Sequence, residues 1–241
     1  GDPVIALVRG AYAEFSIAPA ALAYRPPSGM EMHEAASIPC VFLTAWYGLT
    51  NFGQMKPGET VLIHAAGSGV GTAAIQIAKA SGARVLTSAG SDARVARGVE
   101  LGAEAGINYS TEDVAAELQR LTNRRGVDVV LDSVGGPIFD ATLQALAPGG
   151  RVVTVGGHAG PRAEFDQEAL ETNGQSVQPT LVFNDAQEDD AQRGWAKLKS
   201  WFEDGSIRPV IDRVLPWSQA SAAQRLLLDR EVFGKVVLAV E

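Results

Sequence analysis

From Thr60 to about Phe183 the chain alternates short apolar runs with helical patterns, and no other feature constrains its fold as tightly. "TVLIHAA", "ARVLTSA", "AGINY", "VDVVLDS" and "GRVVTVGG" are β-branched, almost continuously apolar and bounded by glycine, as strands buried on both faces should be. Between them, "VGTAAIQIAKASG", "DARVARGVELG", "TEDVAAELQRLT" and "PIFDATLQALAPGG" place apolar residues three and four apart and stop at glycine or "PGG". Strand, helix, strand, repeated, predicts an α/β fold with a doubly wound parallel sheet. Ser91 and Thr111 are the expected N-caps of two of its helices, each followed by an acidic residue in the next turn. "SVQPTLVF", residues 176–183, reads as the final strand and falls at a sheet edge.

The flanks differ. Residues 1–28 alternate and carry prolines, which predicts short antiparallel strands, among them "VIALV" and "AYAEFSI"; residues 205–241 read strand, helix, strand. The acidic stretch "NDAQEDDAQ" is most simply a solvated loop and helix start. A length of 241 residues suffices to bury a sizeable core, and the formal net charge of −8 argues against a polyanion, so no nucleic acid partner is expected. The single cysteine, Cys40, allows no internal disulfide and fits a reducing compartment, so the expected location is cytoplasmic. No apolar run is long enough to cross a bilayer and the opening residues lack a signal-peptide layout, so no membrane partner is expected either.

Ala66-Gly67-Ser68-Gly69-Val70-Gly71 stands where a dinucleotide-binding chain carries G-x-G-x-x-G, with alanine and serine at the first two glycine positions. The physical requirements survive better than the pattern. Ala66 and Ser68 are small, Gly67 and Gly69 let the chain reverse, and Gly71 allows the helix to approach the strand. Such a turn aims a helix N-terminus at a pyrophosphate, and Ser68 adds a hydroxyl donor. A turn serving only packing is the alternative.

The end of the next strand distinguishes the two nicotinamide cofactors. An acidic residue there pairs with the ribose 2′-hydroxyl of NAD; here the position is Ala89, which leaves room for a 2′-phosphate, with Ser91 and Arg94 just beyond to offer a hydroxyl and a cation. Asp92 weighs against this, and surface exposure is the plainer reading of Arg94 and Arg97. NADP(H) is the expected cofactor, with NADH the alternative.

"GETVLIHAAGSGVGTAAIQIAK", "ELGAEAGINYSTED", "GVDVVLDSVGG", "LAPGGRVVTVGG", "IRPVIDRVLPW" and "FGKVVL" together resemble the medium-chain dehydrogenase/reductase superfamily, in particular its quinone oxidoreductase (zeta-crystallin-like) branch. The resemblance runs in the family's order along nearly the whole chain. It implies a Rossmann domain with a partial GroES-like β domain built from both chain ends: residues 1–38 as the remnant of the catalytic domain, 39–186 as the NADP-binding domain, and 187–241 as a connecting helix and return. It implies NADPH-dependent hydride transfer to quinones or α,β-unsaturated carbonyls, a small-molecule substrate, and a homodimer formed through the strand near Leu181–Phe183. Carried over position by position, Gly67, Ser68, Gly69, Val70 and Gly71 would line the pyrophosphate, and Gly90, Ser91, Arg94 and Tyr109 the adenosine ribose and its phosphate. Val134, Gly135, Val155, Gly156 and Gly157 would lie along the nicotinamide half, with Thr44 against the nicotinamide face.

The chain also departs from that family. Members normally carry a long stretch before "GDPV", forming most of the barrel and one wall of the substrate cleft. The zinc alcohol dehydrogenase branch places a zinc-binding cysteine four residues before the nicotinamide-facing threonine. Cys40 stands at that spacing from Thr44, but a zinc site needs about three protein ligands, so a buried structural cysteine is expected and no metal. His64 is expected to be a packed neighbour of the turn, and His33 and His158 show no ligand spacing. No residue stands out as a general acid. Zinc alcohol dehydrogenase, polyketide-type enoyl reductase and a nucleotide-binding protein without activity are the rival readings.

Overall fold

The computed structural model describes residues 1–8, 10–156, 165–180 and 188–240, the last stretch by backbone alone at 188–190. In chain order the elements are β1 (Ile5–Ala6), β2 (Ala23–Tyr24), α1 (Met32–Ala36), α2 (Ile38–Tyr47), β3 (Thr60–Ile63), α3 (Gly69–Ala80), β4 (Arg84–Ala89), α4 (Asp92–Leu101) and β5 (Ala105–Asn108). They continue with α5 (Val114–Leu121), β6 (Val127–Asp132), α6 (Gly136–Leu143), β7 (Leu146–Thr154), α7 (Gln167–Thr172), β8 (Ser176–Pro179), α8 (Glu188–Glu203), β9 (Ile211–Pro216), α9 (Ala220–Leu228) and β10 (Lys235–Ala239).

Six strands form one parallel sheet in the order β5-β4-β3-β6-β7-β8, so the chain reverses its direction of travel between β3 and β6. Both faces are covered, which is why the strands read as continuous apolar runs. Val61 and Ile63, Val129 and Leu131, and Val153 join α2, α3 and α8 in one core. Their alternating neighbours Leu62, Val130 and Val152 join α5 and α6 in the other. The carboxyl ends of β3 and β6 meet at this reversal, where open α/β sheets hold their ligands.

Outside the sheet, β1 pairs antiparallel with β2, and β9 lies parallel to β10. The second expected N-terminal strand, "AYAEFSI", is not one: among the described residues no partner strand reaches it, and Phe15 and Ile17 are exposed. Another difference concerns "LAPGG". Instead of ending a helix it opens β7, because Pro148 and the left-handed Gly149 (φ 73°) cannot continue α6, and Leu146 pairs with Val127. Ser91 occupies the N-cap position of α4 but makes no side-chain capping bond. Thr111 does not cap α5. Asp113 does, its carboxylate accepting from the Ala116 N–H at 3.0 Å, since a carboxylate both accepts the bond and complements the helix dipole. Among the described residues β8 lies at the sheet edge, paired with β7 alone, and Leu181–Phe183 lie outside them.

Candidate functional site

Between β3 and α3 the chain turns sharply. Ala65 adopts a left-handed φ of 56°, and the Ser68 N–H closes the turn by donating to the Ala65 carbonyl at 2.9 Å. Ser68 then caps α3: its Oγ accepts from the Gly71 N–H at 2.9 Å, leaving the hydroxyl proton to donate elsewhere. The glycines are required by contact. A Cβ on Gly71 would lie 2.2 Å from the Ala65 carbonyl oxygen, and one on Gly69 would lie 2.7 Å from Lys235 Cδ and 2.9 Å from Val41 Cγ1. Val70 is half-buried against the core. The N-terminus of this twelve-residue helix directly follows the turn and suits an anion.

The turn is tied to the next strand by the Ala66 N–H, which donates to the Ser88 carbonyl at 2.9 Å. Ala89 ends β4 fully enclosed, so no carboxylate stands there. The Tyr109 ring covers Gly90, where a Cβ would meet its Cε2 and hydroxyl at 3.1 Å. The Asp92 carboxylate accepts from the Asn108 amide at 2.7 Å. Arg94 reaches the turn with its stem, its Cδ 3.4 Å from a Cβ on Gly67, while its Nη2 donates to the backbone carbonyls of Arg230 and, at 3.3 Å, of Val232. Gly90, Ser91, Arg94 and Tyr109 therefore share one end of the sheet with Gly67–Gly71.

A second group lies at the ends of β6 and β7. Asp132 Oδ1 accepts from the N–H groups of Val134 (2.9 Å) and Gly135 (3.1 Å), which bends the chain through Gly135 at φ 76°. The Val155 N–H donates to the Asp132 carbonyl at 2.7 Å, setting Val155 and Gly156 beside Val134 and Gly135. Gly157 and His158 lie outside the described residues. Thr44 is buried on α2, one turn beyond Val41, and its hydroxyl donates to the Cys40 carbonyl at 2.7 Å.

Cys40 itself departs from expectation: its thiol is exposed rather than buried, because the apolar side of α2 is taken up by Val41, Phe42 and Ala45. Among the described residues no group of three His, Cys, Asp or Glu could hold a metal ion, so they do not fit a zinc centre.

His64, directly before the turn, is buried between two hydroxyls, with Nδ1 2.6 Å from Ser88 Oγ and Nε2 2.9 Å from Thr142 Oγ1. The Thr142 hydroxyl already donates to the Ile138 carbonyl at 2.7 Å, so it accepts from Nε2–H, and Nδ1 accepts from Ser88. Burial pushes the His64 pKa below its ordinary value, outweighing the opposing pull of the Asp132 charge. The imidazole is thus neutral, held as a single tautomer, and positions the strand end under the turn.

Sequence reading missed one part of the site. Gly234 N–H donates to the Gly67 carbonyl at 2.8 Å, and Phe233 lies against Gly67, so a segment from the far end of the chain covers the turn. The only signal was "FGKVVL" itself, where a glycine interrupts an apolar strand pattern.

A protein-family model described as zinc-binding dehydrogenase matches residues 69–200. A quinone oxidoreductase of Sus scrofa is 31% identical over 241 residues, which is 99% of this chain and 72% of that protein. The spectinabilin polyketide synthase system protein NorB of Streptomyces orinoci is 35% identical over 242 residues, 100% of this chain but only 11% of that protein's length. A mycobacterial protein solved in complex with NADPH superposes with a TM-score of 0.88 at 31% identity, covering 95% of this chain and 71% of that one. The chain belongs to the zinc-binding dehydrogenase family of the medium-chain dehydrogenase/reductase superfamily, and is of the quinone oxidoreductase type. Among the described residues no helix is long and apolar enough to cross a membrane.

Proposed function

We propose that this chain binds NADPH across the carboxyl ends of β3, β4, β6 and β7 and reduces a quinone or an α,β-unsaturated carbonyl by direct hydride transfer. The observation that carries the reading is the Ser68-capped turn, closed to any side chain at Gly71, beside a strand that ends in Ala89 rather than a carboxylate. In this reading the N-terminus of α3 and Ser68 hold the pyrophosphate, with Gly67, Gly69 and Val70 shaping the turn. Tyr109, Gly90 and Ser91 border the adenosine ribose, and Arg94 meets its 2′-phosphate. Val134, Gly135, Val155, Gly156 and Gly157 line the nicotinamide half, with Thr44 on the opposite wall. When bound, the cofactor supplies the hydride, and the protein's part is to place the acceptor and exclude water. Residues 39–186 form the cofactor domain, and 1–38 with 187–241 the substrate side. The exposed lone thiol Cys40 supports a reducing location, the cytoplasm.

Isothermal titration tests the cofactor: NADPH binds well ahead of NADH, and Arg94→Ala removes about 1.5–3 kcal/mol, the worth of one charge-assisted contact, from NADPH alone. Equal affinity of the wild type for both cofactors would sink the reading. The match to a polyketide synthase protein favours a second acceptor class, an enoyl thioester. Turnover of a crotonyl thioester but not of a benzoquinone would select it, and cofactor binding without turnover of either would identify an inactive nucleotide-binding chain.

The same reading includes a homodimer through the sheet edge. Among the described strands β8 pairs with β7 alone, and a symmetric strand pair is the simplest closed cap for such an edge. Pro179 ends the strand, where its missing N–H interrupts no longer ladder. Sedimentation at micromolar concentration is expected to give a dimer, with Val182→Lys yielding monomer. A wild-type monomer throughout that range would refute the pairing.

A further inference from the structure

Residues 230–235 run from α9 into β10 across the first half of the phosphate turn, and three contacts and one tight glycine fix them there. The Gly234 N–H donates to the Gly67 carbonyl, making Ser68 and Gly234 bridge partners. The Phe233 N–H donates to the Asp212 carboxylate at 3.1 Å. The Arg97 guanidinium stacks on the Phe233 ring, 3.7 Å from its centroid. Gly234, at φ 96°, has no room for a side chain, since its Cβ would lie 2.3 Å from the Val210 carbonyl oxygen. Phe233 and Val232 are buried, although they lie almost 140 residues from the Arg94 they face.

This segment engages Arg94 through only one nitrogen. Nη2 donates to the carbonyls of Arg230 and Val232, and among the described residues Nε and Nη1 are left for an anion. Phe233 and the Arg94 stem both border the space above Gly67, 3.0 Å and 3.4 Å from a Cβ placed there. A guanidinium held by two backbone carbonyls, on a segment that the buried Phe233 anchors, has lost its rotamer freedom before any ligand arrives, so less is lost when it grips a phosphate.

We infer that the 230–234 segment is a specificity element of the cofactor site: the carbonyls of Arg230 and Val232, on a segment that the buried Phe233 ring anchors, position Arg94 for the cofactor's 2′-phosphate. This rests on the NADPH reading above. Phe233 is a positioning residue, acting through Arg94, and its contribution is felt only by a ligand carrying the 2′-phosphate.

The test is titration of NADPH and NADH into wild type, Phe233→Ala and Phe233→Leu, with urea unfolding to verify that each variant is folded. Phe233→Ala is expected to weaken NADPH about fivefold to tenfold, with NADH within about twofold of wild type and Phe233→Leu recovering most of the loss. Equal weakening of both cofactors shows a structural role only and overturns the inference, as does unchanged NADPH affinity. If Phe233→Ala does not fold, hydrogen exchange on the wild type decides. Adenosine 2′,5′-bisphosphate protects amides 231–235 more than adenosine 5′-phosphate does, and equal protection overturns the inference. A wild type with no preference for NADPH removes the cofactor reading itself, whereas a preference that survives Phe233→Ala removes this inference alone.

Discussion

Gly71→Val is expected to reduce NADPH affinity about 100-fold or more while the chain still folds. The added Cβ would fall 2.2 Å from the Ala65 carbonyl oxygen, a backbone atom with no rotamer to escape into. Either α3 must withdraw from β3 or the turn must open, and both moves carry the Gly71 N–H away from Ser68 Oγ. Once that cap is lost, the helix N-terminus no longer converges with the Ser68 hydroxyl on one point. Two charge-assisted hydrogen bonds to a phosphate are worth about 1.5–3 kcal/mol each, so losing both easily exceeds the 2.7 kcal/mol or so that corresponds to 100-fold. The strain on the fold is smaller, about 1–3 kcal/mol, as overpacking usually costs. Calorimetric titration with NADPH and urea unfolding on the same preparation separate the two effects. A variant that binds within threefold of wild type would show that the pyrophosphate lies elsewhere.

The sheet was largely legible because its information is local. Val61-Leu62-Ile63 and Val129-Val130-Leu131 are apolar at every position because both faces are buried, and that pattern needs no knowledge of the rest of the chain. The turn was legible despite its missing glycines because the requirement is steric, and alanine and serine meet it at Ala66 and Ser68. Boundaries fared less well. Thr111 and Asp113 are both good caps two residues apart, and it is Asp113 that meets the Ala116 N–H. Cys40 reads as a buried structural cysteine because a single candidate ligand makes no zinc site, yet helical geometry turns it out while Val41 and Phe42 turn in. The hold of Arg230 and Val232 on Arg94 left no trace in the text. Backbone carbonyls carry no residue identity, and a contact made across so long a stretch of sequence has no period to betray it.

Removing the His64 side chain is expected to destabilise the fold by about 3–5 kcal/mol, and the wild type should lose stability in acid through the same residue. His64→Ala leaves a ring-sized cavity at a fully buried site, and it deprives the Ser88 hydroxyl of its acceptor and Thr142 of its donor. Urea unfolding at pH 8 gives that difference directly. The pH dependence follows from burial, which lowers the folded-state pKa below the ordinary value of 6.5. The unfolded chain therefore takes up this proton first as pH falls. His64 contributes its full share above pH 6.5 and loses it progressively below, at a limiting slope of about 1.4 kcal/mol per pH unit for one proton. His64→Gln, which does not titrate, should remove that share of the slope between pH 6.5 and 5 while the carboxylate contributions at lower pH remain. If wild type and His64→Gln lose stability in parallel over that interval, the folded imidazole takes up its proton at the same pH as the unfolded one, and the buried neutral ring deduced from Thr142 and Ser88 is wrong.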